Sequence, residues 1–185
     1  FEMPGLKQVA EWSHNKTIVQ RQVVIMKEIC QYLSDVAGVN NVYYSVENNT
    51  LGEAALVCIN EIGEENIPGT FLSEPKKGSV GHRYRKGFTT TKKSKLAVCA
   101  KFKSLIEQKK LHVASKNLVS ELKTFVAMEG SFKAKLGETD DLVMACILTV
   151  RMLQLLQTYD TGIDNQLRDH GDVIIPPMPF ISVMR

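Results

Sequence analysis

Apolar positions along this chain recur in two periods, and their alternation outlines a layered α/β domain. Residues 17–37 carry Met26, Ile29, Leu33 and Val36 at helical spacing and meet Gly38 as a stop. The run Val42, Tyr43, Tyr44, Ser45, Val46 is β-branched and aromatic, as in a buried strand. Thr50 and Glu53 have capping-box spacing and open a helix to about residue 61, with Gly63 beyond it. Shorter strands are expected at 7–12, 69–73 and 111–113. Residues 91–108 predict a helix with Leu96, Cys99, Phe102 and Ile106 inward and its lysines outward. Ser115 caps a further helix bearing Leu118, Leu122 and Phe125, residues 131–135 read as a hairpin arm, and 140–159 form the most apolar helix. The domain is therefore expected over 1–159. Residues 160–185, with Pro176, Pro177 and Pro179, read as a C-terminal tail.

Composition narrows the class. With 185 residues and 44% hydrophobic side chains, the chain suits one domain with a real core, in which Trp12 and Tyr43 are expected. Cys30, Cys58, Cys99 and Cys146 are far apart, form no CxxC pair and fall in predicted helices. That spacing argues against a zinc site or disulfide framework and for small apolar packing groups in a reducing compartment. No apolar run approaches the ~18 residues of a membrane span, and no signal-peptide pattern opens the chain. A soluble, intracellular protein with no membrane partner is the expectation. It begins at Phe1, in sequence that already looks structured, and is expected to be a fragment. The G-x-x-x-x-G-K-[ST] pattern of a phosphate-binding loop is absent, which excludes an ATP motor in this piece. His14, His82, His112 and His170 lack ligand spacing.

Charge is unevenly distributed. Residues 75–116 hold thirteen Lys and Arg against the single acid Glu107, a net +12, which leaves −9 for the remainder of a chain whose formal charge is +3. Overlapping the start of that block, 74–88 is a glycine-rich basic loop containing Gly78, Tyr84 and Phe88. Such a block suits a polyanion backbone, here double-stranded DNA, with Lys76, Lys77, Arg83, Arg85, Lys86, Lys92, Lys93 and Lys95 as the candidate contacts. A solvated helix face is the plainer alternative.

Two acidic features flank this block. Glu47 ends the apolar strand and is followed by Asn48, Asn49, Thr50, Leu51 and Gly52, while Asp140 and Asp141 open the apolar helix. Each has an ordinary reading: Glu47 pairs with a lysine, and Thr139 or Asp140 caps the helix while the acids complement its dipole. Taken together they suggest more. Carboxylates converging from a strand end and a helix start hold Mg²⁺ or Mn²⁺, hard ions that want oxygen ligands. Two such ions ~4 Å apart hydrolyse phosphodiesters. Glu47, Asp140 and Asp141 are the candidate metal ligands, with Glu47 and Asp141 the catalytic pair.

Three stretches carry a family resemblance: YYSVENNTLGEAAL, TTKKSKLAVCAKFKSLIEQKKLHV and GETDDLVMACIL. They resemble the C-terminal nuclease domain of the large terminase subunit of T-even-like tailed phages, over roughly residues 6–157. The last is the most specific, through its G-x-x-D-D-L-V-M pattern. The resemblance implies a ribonuclease H-like mixed sheet flanked by helices and a two-metal endonuclease that cuts concatemeric viral DNA. It also implies, for the whole protein, an ATPase motor domain, portal and small terminase subunit as partners, in the cytoplasm of an infected bacterial host. Glu47 matches the family's second catalytic acid and Asp141 its third. Where the relatives carry a histidine before the aspartate pair, this chain has Thr139. The first catalytic acid belongs to a first strand without counterpart here, Glu11 being the nearest substitute. The sheet is thus expected to lack its first two strands and the fragment to be inactive alone. A resolvase- or transposase-type nuclease and a non-catalytic DNA- or portal-binding module are the alternatives.

Overall fold

The computed structural model describes residues 1–3, 5–75, 86–128 and 130–158. Lys76, Lys77, Arg83 and Arg85 of the basic loop, and the tail 160–185, lie outside the described residues. Among those described, the fold is mixed α/β with five helices and two two-stranded sheets. In chain order these are α1 (Val19–Ala37), β1 (Tyr43–Tyr44), α2 (Thr50–Ile62), β2 (Thr70–Phe71), α3 (Lys92–Glu107), α4 (Lys116–Thr124), β3 (Phe125–Met128), β4 (Ser131–Ala134) and α5 (Asp141–Gln157). None of the described helices is long and apolar enough to cross a membrane.

β1 and β2 pair in parallel, Tyr43 with Thr70 and Tyr44 with Phe71. The same ladder continues through an isolated parallel bridge between Glu47 and Phe88. Its bonds run Thr70 N–H to Val42 O (2.8 Å), Leu72 N–H to Tyr44 O (2.9 Å), Phe88 N–H to Val46 O (3.1 Å) and Asn48 N–H to Phe88 O (2.7 Å). β3 and β4 form an antiparallel hairpin, Phe125 opposite Ala134 and Met128 opposite Ser131. Phe125, expected on a helix, is thus the first residue of a strand. Its ring stacks on Phe132 across the hairpin, a pairing that favours sheet over one more helical turn. The expected strand at 7–12 shrinks to isolated bridges at Lys7, with Glu2 and with His112, and Trp12 and Tyr43 are 42% and 41% exposed rather than core.

Two apolar clusters hold these elements. One gathers Leu6, Leu111, Leu118, the α3 face Val98, Cys99, Phe102 and Leu105, and the α5 face Val143, Cys146, Ile147, Val150 and Leu153. The other joins Val23 and Cys30 of α1, Val42 and Tyr44, Ile59 of α2, and Ile67. Helical periodicity is real in both, but the inward stripe is turned from the expected one. Leu96 and Ile106 of α3 are 44% and 36% exposed, and in α1 the stripe runs through Val23, Met26, Cys30 and Leu33 while Ile29 and Val36 face out. The period gives the face only to within a residue, and the neighbouring element chooses among the adjacent stripes. All four cysteines are free thiols, Cys58 half-buried and the other three buried.

Candidate nuclease site

Glu47 is held through its backbone. The chain leaves the β1 ladder at Glu47 and turns at once into α2, with Asn49 N–H donating to Glu47 O at 2.9 Å. The α2 cap is Asn49, whose Oδ1 accepts from Gly52 N–H at 2.8 Å, rather than the expected Thr50. Gly52 comes so near that a Cβ there would run into the carbonyl oxygen of Glu47. Gly69 and Gly87, both at positive φ, approach the same segment, where a Cβ would lie 2.8 Å from Val42 O and 2.5 Å from Val46 O respectively. Three glycines therefore let α2, β2 and residues 86–88 close on the strand that ends in Glu47. The Glu47 side chain is half-buried and accepts from Asn49 Nδ2 at 3.3 Å. Its neighbour Asn48 is buried, donates through Nδ2 to Lys86 O at 3.1 Å, and leaves Oδ1 without a partner.

Asp140 and Asp141 are held by a helix start. Asp140 occupies the N-cap position of α5 but makes no side-chain capping bond. Glu121 of α4 takes that role. Its Oε2 accepts from the amides of Leu142 (2.8 Å) and Val143 (3.1 Å), and Oε1 from the Thr139 hydroxyl (3.1 Å). The capping expected of Thr139 or Asp140 is thus delivered from another helix, which leaves both aspartates free of the task. Asp141 is exposed, and Asp140 accepts an ion pair from Lys95 at 3.7 Å.

The basic residues divide into two groups. Lys92 and Lys93 are exposed in the first turn of α3, a turn with no acid, closed by a reciprocal capping box between Thr91 and Ser94. Lysines here oppose the helix dipole, and together with it they concentrate positive potential where an anion would sit. Lys95 is turned inward: its side chain is 15% exposed, beside Asp140 and over the Phe125 ring at 5.3 Å. Lys86 pairs with Glu64 of the 3-10 turn Glu64–Asn66. Glu11 accepts from Asn117 Nδ2 at 3.0 Å at the start of α4.

Sequence reasoning missed two residues: Glu121, hidden in an ordinary polar helix, and Arg151. Arg151 stands in the apolar α5 and is 8% exposed. It pairs with Glu74, donates from Nη1 to Thr89 O at 2.9 Å, and lies over the Phe88 ring at 4.9 Å. Burial pulls its pKa below the ordinary guanidinium value, and the charge of Glu47 opposes that shift. A charge inside an apolar helix was the signal available in the sequence.

Glu47, Asp140 and Asp141 are donors of the hardness Mg²⁺ or Mn²⁺ prefers. Among the described residues, no group of three or more His, Cys, Asp or Glu side chains comes together as a metal-holding set. The donor chemistry fits such an ion, and among the described residues the donors do not gather into a set of three. Compared with protein-family models and with curated proteins, the chain matches none.

Proposed function

We propose that the chain is a ribonuclease H-like nuclease domain of a phage terminase large subunit, a metal-dependent endonuclease acting on concatemeric viral DNA. The observation that supports this most is the meeting of two helix starts. The Lys95–Asp140 pair brings the lysine-bearing N-terminus of α3 beside the aspartate-bearing N-terminus of α5, although 45 positions separate the two residues. A nuclease needs this juxtaposition, phosphate-binding cations beside carboxylates that face the scissile bond. In this reading Lys92 and Lys93 hold backbone phosphates, with Lys76, Lys77, Arg83, Arg85 and Lys86 extending the contact. Glu47 and Asp141 are the catalytic acids and Mg²⁺ or Mn²⁺ the cofactor, with Asp140 secondary because Lys95 already neutralises it. The ATPase motor, portal and small terminase subunit follow as partners in the host cytoplasm.

The test is twofold. Charge reversal of Lys92 and Lys93 together should weaken duplex binding at least tenfold and lower the salt slope by roughly two, about 0.9 for each lost phosphate contact. In the shortest form of the protein that cuts DNA, Glu47→Gln and Asp141→Asn should each abolish Mn²⁺-dependent cutting. Unchanged DNA affinity in the first experiment, or full cutting in the second, would sink the proposal. A second reading, a DNA-binding module without catalysis, draws on the partners the acids already have, Lys95 for Asp140 and Asn49 for Glu47. Binding that responds to Lys92 and Lys93 with cutting indifferent to both acids would select it.

A further inference from the structure

The two proposed catalytic acids belong to different halves of the molecule. Glu47 ends a strand of the α1–α2 cluster, and Asp141 begins a helix of the α3–α4–α5 cluster. Something must fix one relative to the other. Arg151 is ten positions after Asp141 on α5, about 15 Å along the axis, and helical side chains lean back toward the N-terminus. Its guanidinium meets both borders of the basic loop: Glu74 on the entering side, Phe88 and Thr89 on the leaving side. Those borders are themselves joined, Glu74 N–H to Gly87 O at 3.1 Å, Thr89 N–H to Glu74 Oε2 at 3.3 Å and Gly87 N–H to Ser73 Oγ at 3.0 Å. Phe88 in turn exchanges main-chain bonds with Val46 and Asn48, the residues on either side of Glu47. A path of contacts runs from α5 through Arg151 and the Phe88–Thr89 segment to the main chain of Val46 and Asn48, on either side of Glu47.

Resting on the nuclease reading above, we propose that Arg151 is the positioning residue that sets Glu47 against the acid-bearing helix α5. A planar guanidinium suits the task, since its fork can engage a carboxylate and a carbonyl at once while its face covers a ring. Lysine supplies the charge without the fork. Glu74, at 40% side-chain exposure, can rehydrate when the partner is lost, so replacing Arg151 loosens the joint and leaves each cluster folded. Arg151 would touch neither DNA nor the reacting atoms. It would act through the main chain of Phe88 and Asn48 and through its charge, which bears on that of Glu47.

Two measurements on Arg151→Met and Arg151→Lys decide the matter. Hydrogen exchange on the chain as it stands should accelerate at least tenfold in Arg151→Met at the Asn48 and Phe88 amides, while Cys146–Val150 amides in α5 keep wild-type protection. Cutting kinetics, in the shortest form that cleaves, should show kcat down ten- to a hundredfold with the KM for DNA unchanged, and Arg151→Lys should recover part of it. Exchange unchanged at Asn48 and Phe88 would overturn the proposal whatever the enzyme does. Exchange raised with kcat intact would also overturn it, leaving Arg151 as a fold contact alone. Indifference of cutting to Glu47→Gln brings down the nuclease role of Glu47, and the positioning role falls with it. That outcome is distinguishable because the exchange result stands by itself.

Discussion

The two apolar clusters hold their acids by different physics. Around α3, α4 and α5 twelve buried residues pack together among the described residues, and Leu105, Leu118 and Val143 have no exposed surface at all. On that base, the Asp140–Asp141 turn is fixed by side chains: Glu121 caps the helix and Lys95 neutralises Asp140. Around α1, α2, β1 and β2 the buried apolar cluster has only six residues among those described, and Ile18, Tyr32, Val36, Leu51 and Val57 are left facing solvent. There Glu47 is fixed by main-chain bonds and by glycines that let neighbouring backbones approach. A side-chain-held acid tolerates adjustment, because a carboxylate cap can be replaced by water at moderate cost. A backbone-held acid does not, because a carbonyl cannot move without its strand.

The largest expected effect follows from that difference. Gly52→Ala puts a methyl group against the carbonyl of Glu47 and should cost roughly 3 kcal/mol, the upper range for overpacking. Urea unfolding monitored by far-ultraviolet circular dichroism measures it. A loss below about 1 kcal/mol would mean that α2 shifts freely, and the backbone-held description of Glu47 would fail. Glu121→Ala should be gentler, about 1–2 kcal/mol for one capping carboxylate that accepts from two amides. Its amide-exchange signature should be confined to the first turn of α5, and spread of that effect to β1 would blur the separation of the halves.

A smaller effect touches both clusters. Burial pushes the Cys146 thiol up to about 12 from an ordinary 9.0, and burial, with the charges of Glu64 and Cys30 adding to it, pushes Tyr44 up to about 12 from 10.0. For each group the unfolded chain releases its proton first as pH rises. The stability held by keeping these groups neutral is thus complete below about pH 9 for Cys146 and pH 10 for Tyr44, and is lost progressively toward pH 12. The urea midpoint should fall across that window. Cys146→Ala should flatten the fall that begins near pH 9, and Tyr44→Phe the part that begins near pH 10. A midpoint constant from pH 8 to pH 11 would contradict the burial of both.

Much of the helical framework was legible because its signals are local. Gly38 and Gly63 end helices at positive φ, Ser115 caps where its spacing predicts, and the α3 and α5 boundaries fall within two residues of expectation. What the pattern could not supply were relations between distant segments. Nothing near Glu121 announces that it caps a helix twenty positions later, and nothing near Gly52 announces a carbonyl above it. The strand at 7–12 failed for the same reason. Gln8 spends its side-chain oxygen on the amides of Ala114 and Ser115, which ties the segment to the start of α4, and its bridges end at Lys7. At the candidate site, residue types were readable, since carboxylates and lysines declare their chemistry. Lys95 shows the limit: its charge was evident, but its inward turn toward Asp140 depends on how α3 and α5 pack.

The exposed Trp12 has a practical consequence for every folding measurement named above. It is the chain's one indole, and it sits outside both clusters with His14 as its aromatic neighbour, ring centroids 6.4 Å apart. Its emission will therefore report on the surroundings of residues 12–14, starting from a spectrum already shifted toward that of hydrated tryptophan. Either core could melt while the fluorescence barely changed, and a variant could look native by that optical probe after losing the packing around Leu105 or Ile59. Circular dichroism sees the helices themselves, and amide exchange, resolved by residue, is the probe able to tell one half from the other.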